Sequence, residues 1–311
     1  MGKAIRDIYG ETLAALGAEY PDIVVLDADL SGSTKSKLFG QKFPDRFFNM
    51  GIAEADMTAC AAGLATVGKI PFINTFTVFL TTIGLVSIRE QICYANLNVK
   101  LAGGYCGMSD ALDGATHHAT EDIAFMRALP NMRIVVPSDP ASARWATRFA
   151  AESDGPIYLR LSRGEYAPLY DGDTVFEFGK GRVVRDGGDV TVLAAGVMVH
   201  KALEAAQLLA AEGLDVRVVD LLTIKPIDAE LIIRCARETG ALVVAEEHQR
   251  YGGVGSAVAE VLAGAGVGVP TEFVCIDDVF TETGSYDALM KKFGLDAAST
   301  AEAVRRAAAR K

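Results

Sequence analysis

Two doubly wound α/β domains, a larger one followed by a smaller one, are what the sequence predicts, and three observations carry that prediction. Short apolar, β-branched runs alternate with helical stretches through both halves of the chain. A stretch rich in Gly, Asp and Tyr separates the halves. The chain has 311 residues, 50% of them hydrophobic and 23% charged, which is enough for two cores of roughly 100 to 200 residues each.

In the first half, strands are predicted at 23–26, 70–74, 99–102, 133–136 and 157–161, with helices at 3–19, 52–66 and 141–152. Phe47, Phe48 and Met50 are expected to form a short buried strand that ends at Gly51. The helix after it, with Ala59, Cys60, Ala61, Ala62, Gly63, Leu64 and Ala65, has almost no polar face and is suited to close packing. This alternation predicts a mostly parallel sheet over residues 1–170. Residues 171–186 read as a linker crossing the surface. The smaller domain, 187–311, has strands expected at 190–194, 216–220, 241–246 and 273–277, and helices at 199–211, 228–238 and 256–263. It also carries the phrase LLTIKPID and the glycines Gly252, Gly253 and Gly255 before a helix. Such a loop can cradle a phosphate, but glycines that let a strand-to-helix turn pack closely are the commoner use.

A net charge of −10 argues against a nucleic-acid or anionic-membrane surface and leaves room for a local basic pocket. The first residues, MGKAIRDIYG, lack a signal-type apolar core, and no run of about 20 apolar residues could span a bilayer. A cytoplasmic location is the expectation. Cys60, Cys93, Cys106, Cys235 and Cys275 have no metal-ligand spacing and read as reduced, mostly buried thiols, with Cys106 standing in a loop.

One acid stands out. Glu54 lies in GIAEAD, between an apolar run and an alanine-rich helix, where an ionised carboxylate is seldom left without a partner. It could be a helix-end charge held by the dipole, or a functional group. Downstream, Phe76 and Phe79 share one face of a turn, with Thr82 at the next equivalent place. Farther on, His117 and His118 stand side by side in a glycine-rich loop.

GIAE resembles the signature of the transketolase family of thiamine diphosphate enzymes, and the resemblance extends over essentially the whole chain, which aligns with the C-terminal half of such an enzyme. It implies that Glu54 hydrogen-bonds the cofactor's pyrimidine N1′ and so activates the thiazolium carbon. Phe76 and Phe79 would stack on the aminopyrimidine, with Thr82 where a tyrosine is usual. Asp113-Gly-Ala-Thr-His117 resembles the family's DGPTHQ, with His118 replacing glutamine. His117 would then move protons at the oxygen of the attacked carbon, as suits a side chain type that titrates near neutral pH. Asp113 and Asp29 fall on the cofactor side, Asp29 toward the thiazolium. Tyr105 takes the place of a histidine that binds the donor's first hydroxyl. Arg6, Ser33 in ADLSGS and Arg163 in LSR match in order and spacing the three phrases that grip a terminal phosphate, and would equally fit an isosteric sulfonate.

The family's metal clamp, GDG followed by an asparagine, is not found; Asp171-Gly172-Asp173 has the wrong order and lies in the linker stretch. No metal ligand is therefore expected on this chain. The resemblance implies that thiamine diphosphate is shared with, and Mg2+ bound mainly by, an N-terminal diphosphate-binding subunit in an α2β2 assembly. The expected activity is transfer of a two-carbon ketol unit from a ketose to an aldose phosphate or similar anionic aldose. The alternatives are a 2-oxo-acid dehydrogenase β subunit, suggested by LLTIKPID, and an inactive regulatory homologue, suggested by Tyr105 and Thr82.

Overall fold

A computed structural model describes residues 3–311. The first half contributes β1 (Lys3–Ala4), β2 (Ile23–Asp27), β3 (Phe47–Asn49), β4 (Ile70–Phe76), β5 (Lys100–Gly104), β6 (Arg133–Val135), β7 (Ile157–Leu161) and β8 (Glu165–Tyr166). The second contributes β9 (Arg182–Arg185), β10 (Val190–Ala194), β11 (Val216–Asp220), β12 (Thr223–Lys225), β13 (Leu242–Gln249) and β14 (Thr271–Ile276). Seven strands form one sheet in the order β12-β6-β7-β5-β4-β2-β3, and five form another in the order β14-β13-β10-β11-β9. Apart from β12 on β6 and β9 on β11, every pairing in these two sheets is parallel. Every residue of β2, β5 and β7 is buried, as strands covered by helices on both faces require. The two doubly wound α/β units are thus as the alternation predicts.

Three expectations change. The segment at Phe47 is an edge strand rather than a buried one, with Phe48 42% exposed; its aromatic run lies beside β2 alone and has no second neighbour to cover it. The phrase LLTIKPID does not stay within the second unit: its Thr223–Lys225 crosses over and adds the antiparallel edge strand to the first sheet. The stretch read as a linker is irregular apart from one strand, yet it packs onto the rest of the chain rather than crossing it freely. Arg182–Arg185 pairs with β11, and the rings of Phe176 and Phe178 pack on Trp145 and Phe149 of the helix Pro140–Glu152. Asp139 anchors the same region, closing a capping box with Ser142 and accepting the Leu169 and Tyr170 amides at 3.0 and 3.1 Å.

The glycine loop packs closely, as expected. Glu246 accepts the Val254 and Gly255 amides at 2.6 and 2.9 Å, so its own carboxylate occupies the helix start that an anion would use. A Cβ on Gly253 would meet that carboxylate at 2.1 Å. All five cysteines are free, but Cys60 is exposed on the outer face of the helix Glu54–Thr66, which buries only its Glu54, Met57, Thr58, Ala61 and Ala62 side. Cys106 is buried, and burial pushes its thiol up to about 12, so it is inert. No helix among the described residues is long and apolar enough to cross a membrane.

Candidate functional site

β2, β4, β5 and β7 are parallel neighbours, so their carboxyl ends lie along one edge of the sheet, the usual ligand position in a parallel sheet. Glu54 begins the helix Glu54–Thr66 and is only 2% exposed. Its Oε1 accepts the Thr75 hydroxyl at 3.0 Å, which ties it to the end of β4. Among the described residues Oε2 has no hydrogen-bond donor, so a buried carboxylate is left with one open oxygen.

Phe76, the last residue of β4, stacks on Phe79 with centroids 6.1 Å apart and on Tyr105 at 4.3 Å. His117 stands edge-on to both phenylalanines, at 6.2 and 5.3 Å, and its Nδ1 lies 3.0 Å from the Thr116 hydroxyl. Tyr105 follows β5 with φ +59°, a left-handed conformation held by its surroundings. Its hydroxyl accepts from Arg6 Nη1, and the guanidinium carbons of Arg6 and Arg163 lie 5.3 and 5.2 Å from its ring centre. Arg6 also reaches the Ser33 carbonyl at 3.5 Å. The three residues singled out for a charged ligand end therefore meet around Tyr105, although they are far apart in the chain. Tyr105 itself is tied to these two guanidinium groups, through its hydroxyl to Arg6 and through its ring to both.

Two expected residues stand apart, and a third is exposed beside the charged end. Thr82 is exposed and its hydroxyl donates to the Val78 carbonyl of its own turn at 2.6 Å, so it does not face the rings. Asp29, exposed with φ +64°, accepts from Asn49 Nδ2 at 2.8 Å. Asp113 is exposed in the histidine loop.

Other residues of the site were not singled out from the sequence. Asp27 gathers the Leu30 amide and the Thr34 and Ser36 hydroxyls at 2.6, 2.8 and 2.7 Å, which shapes the turn that carries Ser33. An acid at a strand end followed by small hydroxyls was the available signal. Asp110, 2% exposed, pairs with Arg163 at 3.1 Å, and burial together with the nearby Asp113 carboxyl raises it to about 6. The loop from Gly104 to Thr120 is held from the second unit. Glu247 Oε1 accepts the Met108 amide and the Tyr286 hydroxyl, each at 2.9 Å. His118, replacing the usual glutamine, lies 2.7 Å from Thr281 Oγ1. The Gln249 amide donates to the Thr120 carbonyl at 2.7 Å.

Glu247 gives this clamp a pH signature. Burial pushes its carboxyl up to about 7, and an acid raised on folding makes the fold less stable as pH climbs from the unfolded to the folded value. Glu247→Gln keeps an acceptor for Met108 and Tyr286 but has no proton to lose. Its stability relative to the parent is expected to rise by on the order of 2–3 kcal/mol between about pH 5 and about pH 8. Denaturant midpoints at the two pH values measure this, and a difference that does not change with pH contradicts it.

Comparison with known proteins places the whole arrangement. Residues 1–168 match the family model "Transketolase, pyrimidine binding domain", and 179–299 match "Transketolase, C-terminal domain". A 6-deoxy-6-sulfo-D-fructose transketolase subunit from Clostridium sp. is 41% identical over 99% of this chain and 95% of its own. Human transketolase is 38% identical over 97% of this chain, which spans 48% of that longer protein. A solved structure described as a split-gene transketolase, an inactive β4 tetramer, superposes with a TM-score of 0.91 at 50% identity and covers 100% of both chains. The chain belongs to the transketolase family and carries its pyrimidine-binding and C-terminal domains.

Proposed function

We propose that this chain is the C-terminal subunit of a two-chain, thiamine diphosphate-dependent transketolase that moves a two-carbon ketol unit from a ketose to an anionic aldose. The observation that carries this reading is a buried carboxylate with one open oxygen, Glu54, bonded to Thr75 immediately before the clustered Phe76, Phe79 and His117, with Arg6 and Arg163 beside Tyr105. That donor set fits the pyrimidine end of the cofactor: one buried acceptor for a ring N–H and a pair of near-parallel rings, 22° apart, for a flat heterocycle. When bound, thiamine diphosphate supplies the nucleophilic carbon and the electron sink for breaking and making the carbon–carbon bond.

The chain's own residues do the rest. Glu54, fixed by Thr75, would hold the pyrimidine through its open oxygen, where low dielectric would strengthen the bond. Phe76 and Phe79 keep water from the ring face. His117, set edge-on against both, gives and takes the proton at the oxygen of the attacked carbon. Arg6, Ser33, Tyr105 and Arg163 orient the sugar by its charged end.

The metal clamp comes from a second polypeptide in this reading, with Mg2+ bound there and the cofactor shared at an α2β2 interface. The end-to-end match to a split-gene transketolase chain supports this, as does the inactivity printed for that 50%-identical β4 tetramer. The test is reconstitution with an N-terminal diphosphate-binding subunit, thiamine diphosphate and Mg2+. Ketol transfer from ketose donors to anionic aldoses is expected. Oxidative decarboxylation of 2-oxo acids without ketol transfer would favour the dehydrogenase β reading, and neither reaction would favour a regulatory homologue.

A further inference from the structure

The charged end of the site holds less positive charge than its two arginines suggest. Arg163 is paired at 3.1 Å with Asp110, whose side chain is 3% exposed against 43% for the arginine. So buried a carboxylate is weakly screened and acts on anything that Arg163 touches. Asp110 is ionised above its titration near 6, and its Oδ2 is buried with no partner among the described residues. Asp113 adds a second, exposed carboxylate beside it. Lys35, in the same turn as Ser33, supplies no extra cation because it is paired with Asp7 at 3.0 Å.

Tyr105 points the same way. A phenol carries no positive charge near neutral pH. Since its oxygen accepts from Arg6, its own proton remains available for a ligand oxygen. The site therefore offers donor groups on Arg6, Arg163 and Tyr105, but two guanidinium charges against the buried Asp110 carboxylate leave at most one net positive charge, which the exposed Asp113 lowers further.

We propose that this subsite selects a terminal sulfonate over a phosphate, with Asp110 and Tyr105 as the residues that set the preference; the inference rests on the ketol-transfer reading above. A sulfonate carries one charge and three acceptor oxygens in a tetrahedron, so it neutralises the site and uses its donors. A phosphate monoester carries nearly two charges above a second ionisation of about 6. The extra charge faces Asp110, and like charges at close range disfavour one another. A carboxylate has the right charge, but its two coplanar oxygens leave donors unfilled.

The test uses the reconstituted complex at about pH 8, above the phosphate's second ionisation, with four-carbon aldose acceptors ending in sulfonate, phosphonate or phosphate. The first two differ chiefly in charge. The sulfonate is expected to give the highest kcat/KM, by about tenfold or more over the phosphonate. Asp110→Asn and Tyr105→His are each expected to move that ratio toward the dianions by a similar factor. Equal or better use of the dianions by the parent enzyme, or a ratio unmoved by both variants, overturns the proposal while leaving ketol transfer standing. Should Asp110→Asn fail to assemble, Tyr105→His decides. If no acceptor is turned over, the ketol-transfer reading falls, and calorimetric binding of the three acceptors decides the charge preference by the same ratio.

Discussion

Glu54→Gln in the reconstituted enzyme is expected to lower kcat by about 10²- to 10⁴-fold, the range for losing a proton-transfer partner, with little change in KM for either sugar. The reason lies in the placement of the carboxylate. It is 2% exposed, one oxygen is held by Thr75, and the other has no donor among the described residues. Glutamine fills the same space and can still accept from Thr75, so the fold should survive; what is lost is the charge that favours a protonated ring nitrogen. If Glu54 were only a helix-end charge, the variant would lose about 1 kcal/mol of stability and little activity. A kcat within about threefold of the parent, alongside a lowered unfolding midpoint, would establish that structural role.

The largest effect on stability is expected at Asp122. Arg160 donates to both of its oxygens, at 2.7 and 3.1 Å, and the arginine reaches on to the Glu247 carbonyl of the second unit at 2.9 Å. Both side chains are buried, at 5% and 0% exposure. Burial alone would raise the Asp122 carboxyl, but Arg160, with help from His248 and Tyr158, brings it below its ordinary value. Its stabilising effect is therefore present above the unfolded value near 4 and fades as pH falls toward the folded one. Asp122→Ala leaves a guanidinium buried without its counter-charge and is expected to destabilise the chain by about 3–5 kcal/mol at neutral pH. Denaturant unfolding measures this, and a loss below about 1 kcal/mol would mean that water reaches the pair.

These two residues mark what the sequence could and could not disclose. Glu54, Phe76, His117 and Arg163 drew notice because each sits in a short phrase that resembles one of the transketolase family. Their partners were not. Thr75 looks like an ordinary strand residue, and Asp110 like one more loop acid, until folding places them against Glu54 and Arg163. Glu247 meets Met108 across 139 residues of chain, a distance no local pattern spans. The same limit hid the crossover of Thr223–Lys225, a strand of three residues that is extended only because β6 offers an unpaired edge. Phe48 misled in the opposite sense: its apolarity is real, but it lies on an edge strand and stays 42% exposed.

The central claim is that this chain holds half of an active site and gains turnover only from a second polypeptide. It is tested most directly by measuring ketol-transfer kcat for the purified chain with saturating thiamine diphosphate and Mg2+, before and after addition of the N-terminal diphosphate-binding subunit. Turnover at background is expected for the chain alone, and a kcat of about 1–10³ s⁻¹, the ordinary enzyme range, once the partner is present. Full turnover by the isolated chain, unchanged when the partner is added, would contradict it.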